Sequence, residues 1–309
     1  MTLQQLKYVV TVARTGSMSE ASKELFISQP GLTTSIRELE TEMGIKIFTR
    51  TNKGVVTSNE GERFLGYARQ VLEQASLLEG VYKSGTKIKQ QFCVSTQHYS
   101  FAVNAFVDLI RRFAGEEYDF SLRETETYEI IDDVAKMKSE IGILYLNSFN
   151  KDALMKIIKS KLLTFTELFT AKPHVFVSTD HPLADKKSVT MEELADYPYL
   201  SFEQGEHNSF YYSEEIFSTV GRTKNIRVTD RATLFNLLIG LNGYTVCSGV
   251  IDNELNGDNI IAIPLDEEGN MKIGYIENKK ILHSNLAEAY IEALKKHISV
   301  SYTHLRAHE

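Results

Sequence analysis

The sequence predicts an α/β chain with an all-α-type winged helix-turn-helix unit in front, then a long helix, then two Rossmann-like lobes. Three observations predict it. Apolar residues recur at helical spacing in three short segments between Leu3 and Met43, each bounded by a capping residue or a glycine. A longer segment, about 60 to 84, carries Phe64, Ala68, Val71, Ala75, Leu78 and Tyr82 at successive spacings of 4, 3, 4, 3 and 4. Beyond Gly85, strand-like and helix-like segments alternate.

Composition narrows the class. A chain of 309 residues, 42% hydrophobic and 24% charged, has the make-up of an ordinary globular protein with room for two or three compact units. No run approaches the ~18 apolar residues of a membrane span, and the amino terminus has neither a basic flank nor a cleavage site. A soluble, cytoplasmic chain without a membrane partner is expected. Cys93 and Cys247 stand in no CxxC pattern, so neither a metal framework nor a cofactor is indicated. GxSxG, Walker, GxGxxG and HExxH patterns are all missing, and no enzyme is expected. A net charge of -7 argues against binding nucleic acid through bulk charge. Residues 1–60 carry seven Lys and Arg against six Glu, a net of +1. Any DNA-binding role must therefore rest on geometry.

In the front unit, Leu3, Leu6, Tyr8, Val9, Val10 and Ala13 form the stripe of a first helix that Gly16 stops. Ser17 or Ser19 caps a short second helix with Met18, Ala21, Ser22 and Leu25 inward. Ser28 caps a third, where Pro30 sits harmlessly in the first turn and Leu32, Ile36, Leu39 and Met43 face the core. Gly44 ends that helix. IKIF (45–48) and GVVT (54–57) read as two strands of a wing joined by Thr51-Asn52-Lys53. The front unit is placed at 1–58 and a linker helix at 59–86. The heptad seam of that helix calls for a second helix, and hence a homodimer.

Strands are expected at 92–96, 119–124 and 141–146 with helices at 99–113 and 127–138 between them, a β-α-β-α-β order implying parallel pairing. A second set follows: strands at 174–178, 197–202, 225–229 and 244–248, with helices near 209–220 and 231–240. Strands at 260–265 and 272–276 and a helix at 284–297 complete a region placed at 87–300. Residues 301–309 break the amphipathic pattern and read as a non-native or frayed tail.

The third helix is the chemically informative one. A helix-turn-helix holds its second helix so that amino-terminal side chains reach base edges in the major groove. Gln29 and Thr34 are placed at bases, with Arg37 beside them. Ser17, Ser28, Pro30 and Thr33 complete the DNA-facing set, Ser28 and Thr33 reaching phosphate. Arg50 and Lys53 on the wing suit phosphate oxygens. The run Ala21-Ser22-Lys23-Glu24-Leu25-Phe26-Ile27-Ser28-Gln29-Pro30-Gly31-Leu32-Thr33-Thr34-Ser35-Ile36-Arg37-Glu38-Leu39-Glu40, followed by Gly44, Phe48, Arg50, Thr57 and Gly61, resembles the amino-terminal signature of LysR-type transcriptional regulators over some sixty residues. Ala21-Ser22 stands where that family commonly has two alanines, and Thr33-Thr34-Ser35 where it commonly has Ser-Arg-Gln. The departures bear on base preference. The buried positions match.

The resemblance implies a sequence-specific regulator that binds double-stranded operator DNA as a homodimer or a homotetrameric pair of dimers, with RNA polymerase as a further partner. It also implies an effector domain like the periplasmic binding proteins, with one lobe from about 91–166 and 270–298, the other from 167–269, and a small-molecule effector between them. In open α/β sheets ligands bind beyond the carboxyl ends of strands. Ser95, Thr96, Gln97, His98 and Ser100 crowd the first such end, Thr125 the second, and Ser201, Phe202 and Ser248 later ones, a set suited to a small carboxylate. The stretch Ser95-Thr96-Gln97-His98-Tyr99 is similar to members that control cysteine and methionine supply in Gram-positive bacteria, which points to an amino-acid-related effector. The alternative is a redox-sensing regulator using Cys93 and Cys247.

Overall fold

The computed structural model describes residues 1–51, 54–82, 90–113, 115, 117–207, 209–251 and 257–308, with the backbone alone at 50, 80–82 and 299–308. Its contacts divide into two units, Met1–Lys89 with Ala135–Lys138, and Gln90–Val134 with Ser139–Glu309.

In the first unit, helix α1 (Leu3–Thr15) opens on a reciprocal cap in which Gln5 N–H donates to Thr2 Oγ1 and Thr2 N–H to Gln5 Oε1. It closes at Gly16, whose φ of 65° suits a residue without a Cβ. Ser17 caps α2 (Met18–Glu24) and Ser28 caps α3 (Gln29–Met43), each hydroxyl accepting an N–H of the first turn. Val9, Val12, Ala21, Leu32, Ile36, Leu39, Ile47 and Leu65 form one core. Met43, expected inside, is 40% exposed because α3 runs past the edge of this core. Glu40 takes the inward place.

The wing differs from expectation. Its first strand is β1 (Phe48–Thr51), paired antiparallel with β2 (Gly54–Thr57) from Phe48↔Thr57 onward, and not residues 45–48. The reason lies in Glu40. One of its carboxylate oxygens accepts the N–H groups of Ile47 (2.8 Å) and Phe48 (3.1 Å), and Lys46 pairs with the other at 2.9 Å. The Ile47 backbone is thereby committed to α3, and strand pairing starts only beyond it. Ser58 then offers its hydroxyl to Gly61 N–H at the start of α4 (Asn59–Tyr82). A Cβ on Gly61 would lie 2.2 Å from the Ile47 carbonyl oxygen, so the close crossing of α4 over that residue requires glycine.

The second unit holds two sheets of the same plan. In the first, the order is β4-β3-β5-β12-β6, formed by β3 (Gln90–Thr96), β4 (Tyr118–Glu124), β5 (Ile141–Leu146), β6 (Leu163–Ala171) and β12 (Met271–Asn278). Strand β3 runs parallel to β4 and β5, whereas β12 is antiparallel to β5 and β6. The second comprises β7 (His174–Ser178), β8 (Tyr199–Phe202), β9 (Asn225–Val228), β10 (Thr245–Cys247) and β11 (Ile260–Pro264). There β8 is parallel to β9, β7 is antiparallel to β10 and β11, and a parallel bridge from Tyr199 to Tyr244 joins the two groups. The purely parallel pairing expected from the sequence is thus corrected to a mixed arrangement. In each sheet one strand runs against the others, β12 in the first and β7 in the second.

Helices α5 (Ser100–Phe113), α6 (Thr127–Ala135), α8 (Arg231–Leu241) and α9 (Asn285–His308) stand near their expected places. Helix α7 (Lys151–Ser160) and β6 lie where the sequence pattern assigns no element, and β6 carries the first sheet to Ala171, beyond the boundary expected at 166. Backbone helix continues in α9 to His308, past the expected end at 297 and through the segment read as a tail. The helix expected at 209–220 is replaced by a single 3-10 turn, Phe210–Tyr212. Phe217 at φ 63° breaks any longer helix, and Glu214 and Glu215 spend their carboxylates on other segments. Each sheet contributes to the core. All six residues of β5 are buried, as a central strand covered on both faces requires.

Candidate functional site

In the front unit, Ser28, Gln29, Pro30, Thr34 and Arg37 are exposed at or near the amino-terminal end of α3, and Thr33 is half-buried behind them. Ser17 is half-buried and spends its hydroxyl on Glu20 N–H. The Arg50 backbone pairs with Val55 in the wing; its side chain, like the whole of Lys53, lies outside the described residues. Phe26, which the sequence reading passes over, is 95% exposed in the turn before α3, with φ 53°. A β-region residue there would not bring α3 back across α2.

The α4 seam is divided. Ala68 is buried and Phe64 half-buried in the first unit, whereas Val71 and Leu78 are 42% and 61% exposed, and Ala75 lies between. The Tyr82 side chain lies outside the described residues.

In the second unit a pocket forms between the lobes, at the amino end of α5. Of the residues proposed from sequence, His98, Ser100, Phe202 and Ser248 line it. Its walls also include Phe176, Leu234, Phe235, Val250, Ile251 and Met271, with Glu214, Glu215 and Arg231 as charged members. Ser95, Thr96, Gln97, Thr125 and Ser201 are not in the wall. The first three are fully engaged elsewhere. Ser95 bonds Asp133 and Ser139, Thr96 donates to the Gln97 carbonyl, and the Gln97 amide spans Thr127, Tyr145 and Tyr99.

The lobes meet across this pocket. Glu214 Oε2 accepts the His98 backbone N–H at 3.1 Å and lies 2.9 Å from Nδ1 of the same imidazole. The imidazole stacks on Phe202 with centroids 3.7 Å apart and planes 2° apart. Gln204 Oε1 accepts Thr127 N–H at 3.0 Å, and Arg231 pairs with Glu124 at 2.8 Å. The carboxylate place at the α5 amino terminus, expected for an effector, is therefore filled by Glu214.

Burial alone would depress His98, but the charge of Glu214 and its hydrogen bond outweigh that and raise its pKa. Burial, reinforced by Glu214, pushes the Glu215 carboxyl up to about 8, against hydrogen bonds from the backbone N–H groups of Phe202 and of Glu215 itself and a minor pull from His98. Burial also raises Glu124 above the usual carboxylate range, with Arg231 opposing. The sequence carried no sign of these acids, because an adjacent Glu-Glu pair normally marks a solvated surface. Burial likewise raises both cysteine thiols: Cys93, which contacts Ser139 Oγ at 3.1 Å, and Cys247, more strongly.

Comparison with known proteins fits this architecture. Residues 3–62 match the family model of the bacterial regulatory helix-turn-helix protein, lysR family, and residues 94–299 match that of the LysR substrate binding domain. An uncharacterized HTH-type transcriptional regulator, YnfL of Escherichia coli, is 29% identical over 205 residues, 65% of each chain. The HTH-type transcriptional regulator CysB of Burkholderia cenocepacia is 28% identical over 210 residues, 66% of this chain and 63% of the relative. The matched stretch thus spans a little under two thirds of the length of these curated relatives. Among solved structures, a full-length OxyR variant from Pseudomonas aeruginosa superposes with a TM-score of 0.62 at 20% identity, covering 96% of this chain and 98% of its own. With both domain models matched in order, and the second alone covering most of the sequence, the chain belongs to the LysR family of bacterial regulators.

Proposed function

We propose that the protein is a sequence-specific transcriptional regulator that binds operator DNA through α3 and the wing and responds to a small molecule held between its two lobes. The observation that carries this reading is the exposed amino end of α3, where Gln29, Thr34 and Arg37 project beside Ser28 from a helix that buries Leu32, Ile36 and Leu39 on its other face. Polar side chains at that end suit major-groove base edges, and the half-buried Thr33 and the wing suit phosphates. A regulator of this kind works in the cytoplasm, and among the described residues no helix is long and apolar enough to cross a membrane.

Labelled DNA from the region upstream of the gene tests the reading. The full chain is expected to give a salt-sensitive, sequence-specific shift; its absence would sink the proposal. Thr34→Ala is expected to weaken specific binding by about 1–3 kcal/mol and to relax preference at one base position, with non-specific binding unchanged. An unaltered preference in that variant removes Thr34 from base contact.

Two such readers need a fixed spacing, which a paired α4 provides. Val71, Leu77 and Leu78 form an apolar strip left exposed in the single chain. Light scattering is expected to show a dimer or a pair of dimers, and Leu78→Glu to shift it toward monomer. A dimer indifferent to that change would place the interface elsewhere.

The redox alternative is less well supported. A sensing thiol reacts as thiolate, and burial raises the pKa of both Cys93 and Cys247.

A further inference from the structure

The pocket between the lobes has an unbalanced set of charges. His98 faces Glu214, and Arg231 is paired with Glu124. Glu215, only 3% exposed and in the pocket wall, has no cation at ion-pair distance among the described residues; its carboxylate accepts Phe202 N–H instead. A second observation is independent of the acids. The His98 side chain is 5% exposed, its Nδ1 is taken by Glu214, and its Nε2 is buried without a hydrogen-bond partner among the described residues. Buried polar atoms are almost always satisfied, so a buried edge of imidazole in a pocket wall marks a place for a ligand atom.

The sign of the ligand follows from what surrounds that place. An anion would find the α5 amino terminus already occupied by Glu214, would face Glu215, and would have to take Arg231 from Glu124. A cation meets the opposite situation. It supplies the counter-charge that Glu215 lacks, and one of its N–H groups donates to His98 Nε2 once the imidazole, keeping Nδ1–H toward Glu214, has released to solvent the second proton that Glu214 favours. Phe176, Leu234, Phe235 and Ile251 give the wall an apolar part, beside the hydroxyl residues Ser100, Thr245 and Ser248. That apolar part suits a compact hydrocarbon or aromatic body.

We propose that the effector is a small amphipathic amine, bound with its ammonium between Glu215 and His98 Nε2 and its apolar body against the Phe176, Phe235 and Leu234 wall. The inference rests on the cleft being the effector site. The elevated pKa of Glu215 agrees with it, since a buried carboxyl without a counter-ion holds its proton, and an arriving ammonium would let it go.

Matched probes test the sign directly. The full chain is heated near neutral pH with 2-phenylethylamine or with 3-phenylpropanoate, which share a ring and a two-carbon arm, and with 3-methylbutylamine or 4-methylpentanoate as the aliphatic pair. At a concentration about a hundred times Kd, the amine is expected to raise Tm by roughly 5 °C or more, and the carboxylate is not. In calorimetry, Glu215→Gln, which keeps an oxygen acceptor for Phe202 N–H, is expected to bind the amine at least about tenfold more weakly. A shift by the carboxylates instead, equal amine binding in Glu215→Gln, or no shift with either amine at millimolar concentration overturns the proposal. Operator binding measured without any probe judges the regulator reading separately: a chain that shifts its operator but ignores amines loses only the ligand class, and one that takes amines but no operator loses the regulator.

Discussion

Glu40→Ala is expected to destabilise the DNA-binding unit by about 3 kcal/mol, because it leaves two buried or half-buried N–H groups, those of Ile47 and Phe48, without their acceptor. The Lys46 pair adds little to that figure, since its ammonium is 74% exposed. The consequence extends beyond stability. Ile47 is the residue over which α4 crosses at Gly61, and Phe48 opens the first wing strand, so one carboxylate fixes α3, the wing and the start of α4 together. Operator affinity should therefore fall with stability, and at temperatures well below the melting midpoint it should fall still, because the wing is no longer tied to α3. Burial pushes the Glu40 carboxyl up, but hydrogen bonds from Phe48, Lys46 and Ile47 outweigh burial and hold it below the usual range. Its contribution is present above the unfolded carboxylate pKa and is lost as pH falls through the lowered one. Urea denaturation checks the size of the effect, with Glu40→Gln, which keeps one acceptor, expected between wild type and alanine. A loss under about 0.5 kcal/mol for the alanine variant would mean that the tether carries no weight.

The contrast between Glu40 and the pocket acids shows where sequence reasoning reached and where it stopped. Ser17, Ser28, Gly16 and Gly44 act on their own chain neighbours, so their roles as helix caps could be read from spacing. The stripes of α1 and α3 are periodic for the same local reason. Glu40 was visible in the family-like run but not as a buried ligand of two amides, because Ile47 and Phe48 lie a turn of chain away. The pocket is a harder case. Strand ends drew attention to Ser95, Thr96 and Gln97, yet Ser95 and Gln97 are consumed by Asp133, Thr127 and Tyr145, residues from another strand and a helix, and the Thr96 hydroxyl by the Gln97 carbonyl. What lines the cavity instead is Glu214 and Glu215, from a segment whose polarity and apolar content suggested an amphipathic helix. Glu214 spends its carboxylate on His98 of the opposing lobe and Glu215 on Phe202, in a strand of its own lobe, and no local pattern records either partner.

That opposing contact leads to the second large effect, a pH dependence. His98 gains a partner in the closed cleft, so its stabilising contribution is fully present below its unfolded pKa near 6.5 and fades as pH rises through the raised value. Glu215 acts in the same direction. Its protonated form is favoured on folding, and stability is lost as pH climbs from the ordinary 4.5 toward about 8. The groups facing this pair, Glu214 and Glu124 as acids and Arg231 as cation, set the field in which both titrate. Rising pH therefore removes the proton that Glu215 needs and the charge that holds His98 to Glu214. The difference in stability between Glu215→Gln and wild type, read from melting curves, is expected to be small near pH 5 and to grow in favour of the variant by pH 9, on the order of several kcal/mol for so buried a group. Using the difference cancels the other carboxyls. Deuterium exchange adds the structural half of the test: if Glu214 closes the cleft, the amide of His98 should exchange roughly tenfold faster in Glu214→Gln than in wild type at neutral pH, a ratio worth about 1.4 kcal/mol of closure. Parallel melting curves for Glu215→Gln and wild type across the whole range, with unchanged exchange in Glu214→Gln, would show that the two lobes are held by their apolar contacts and that the buried acids are bystanders.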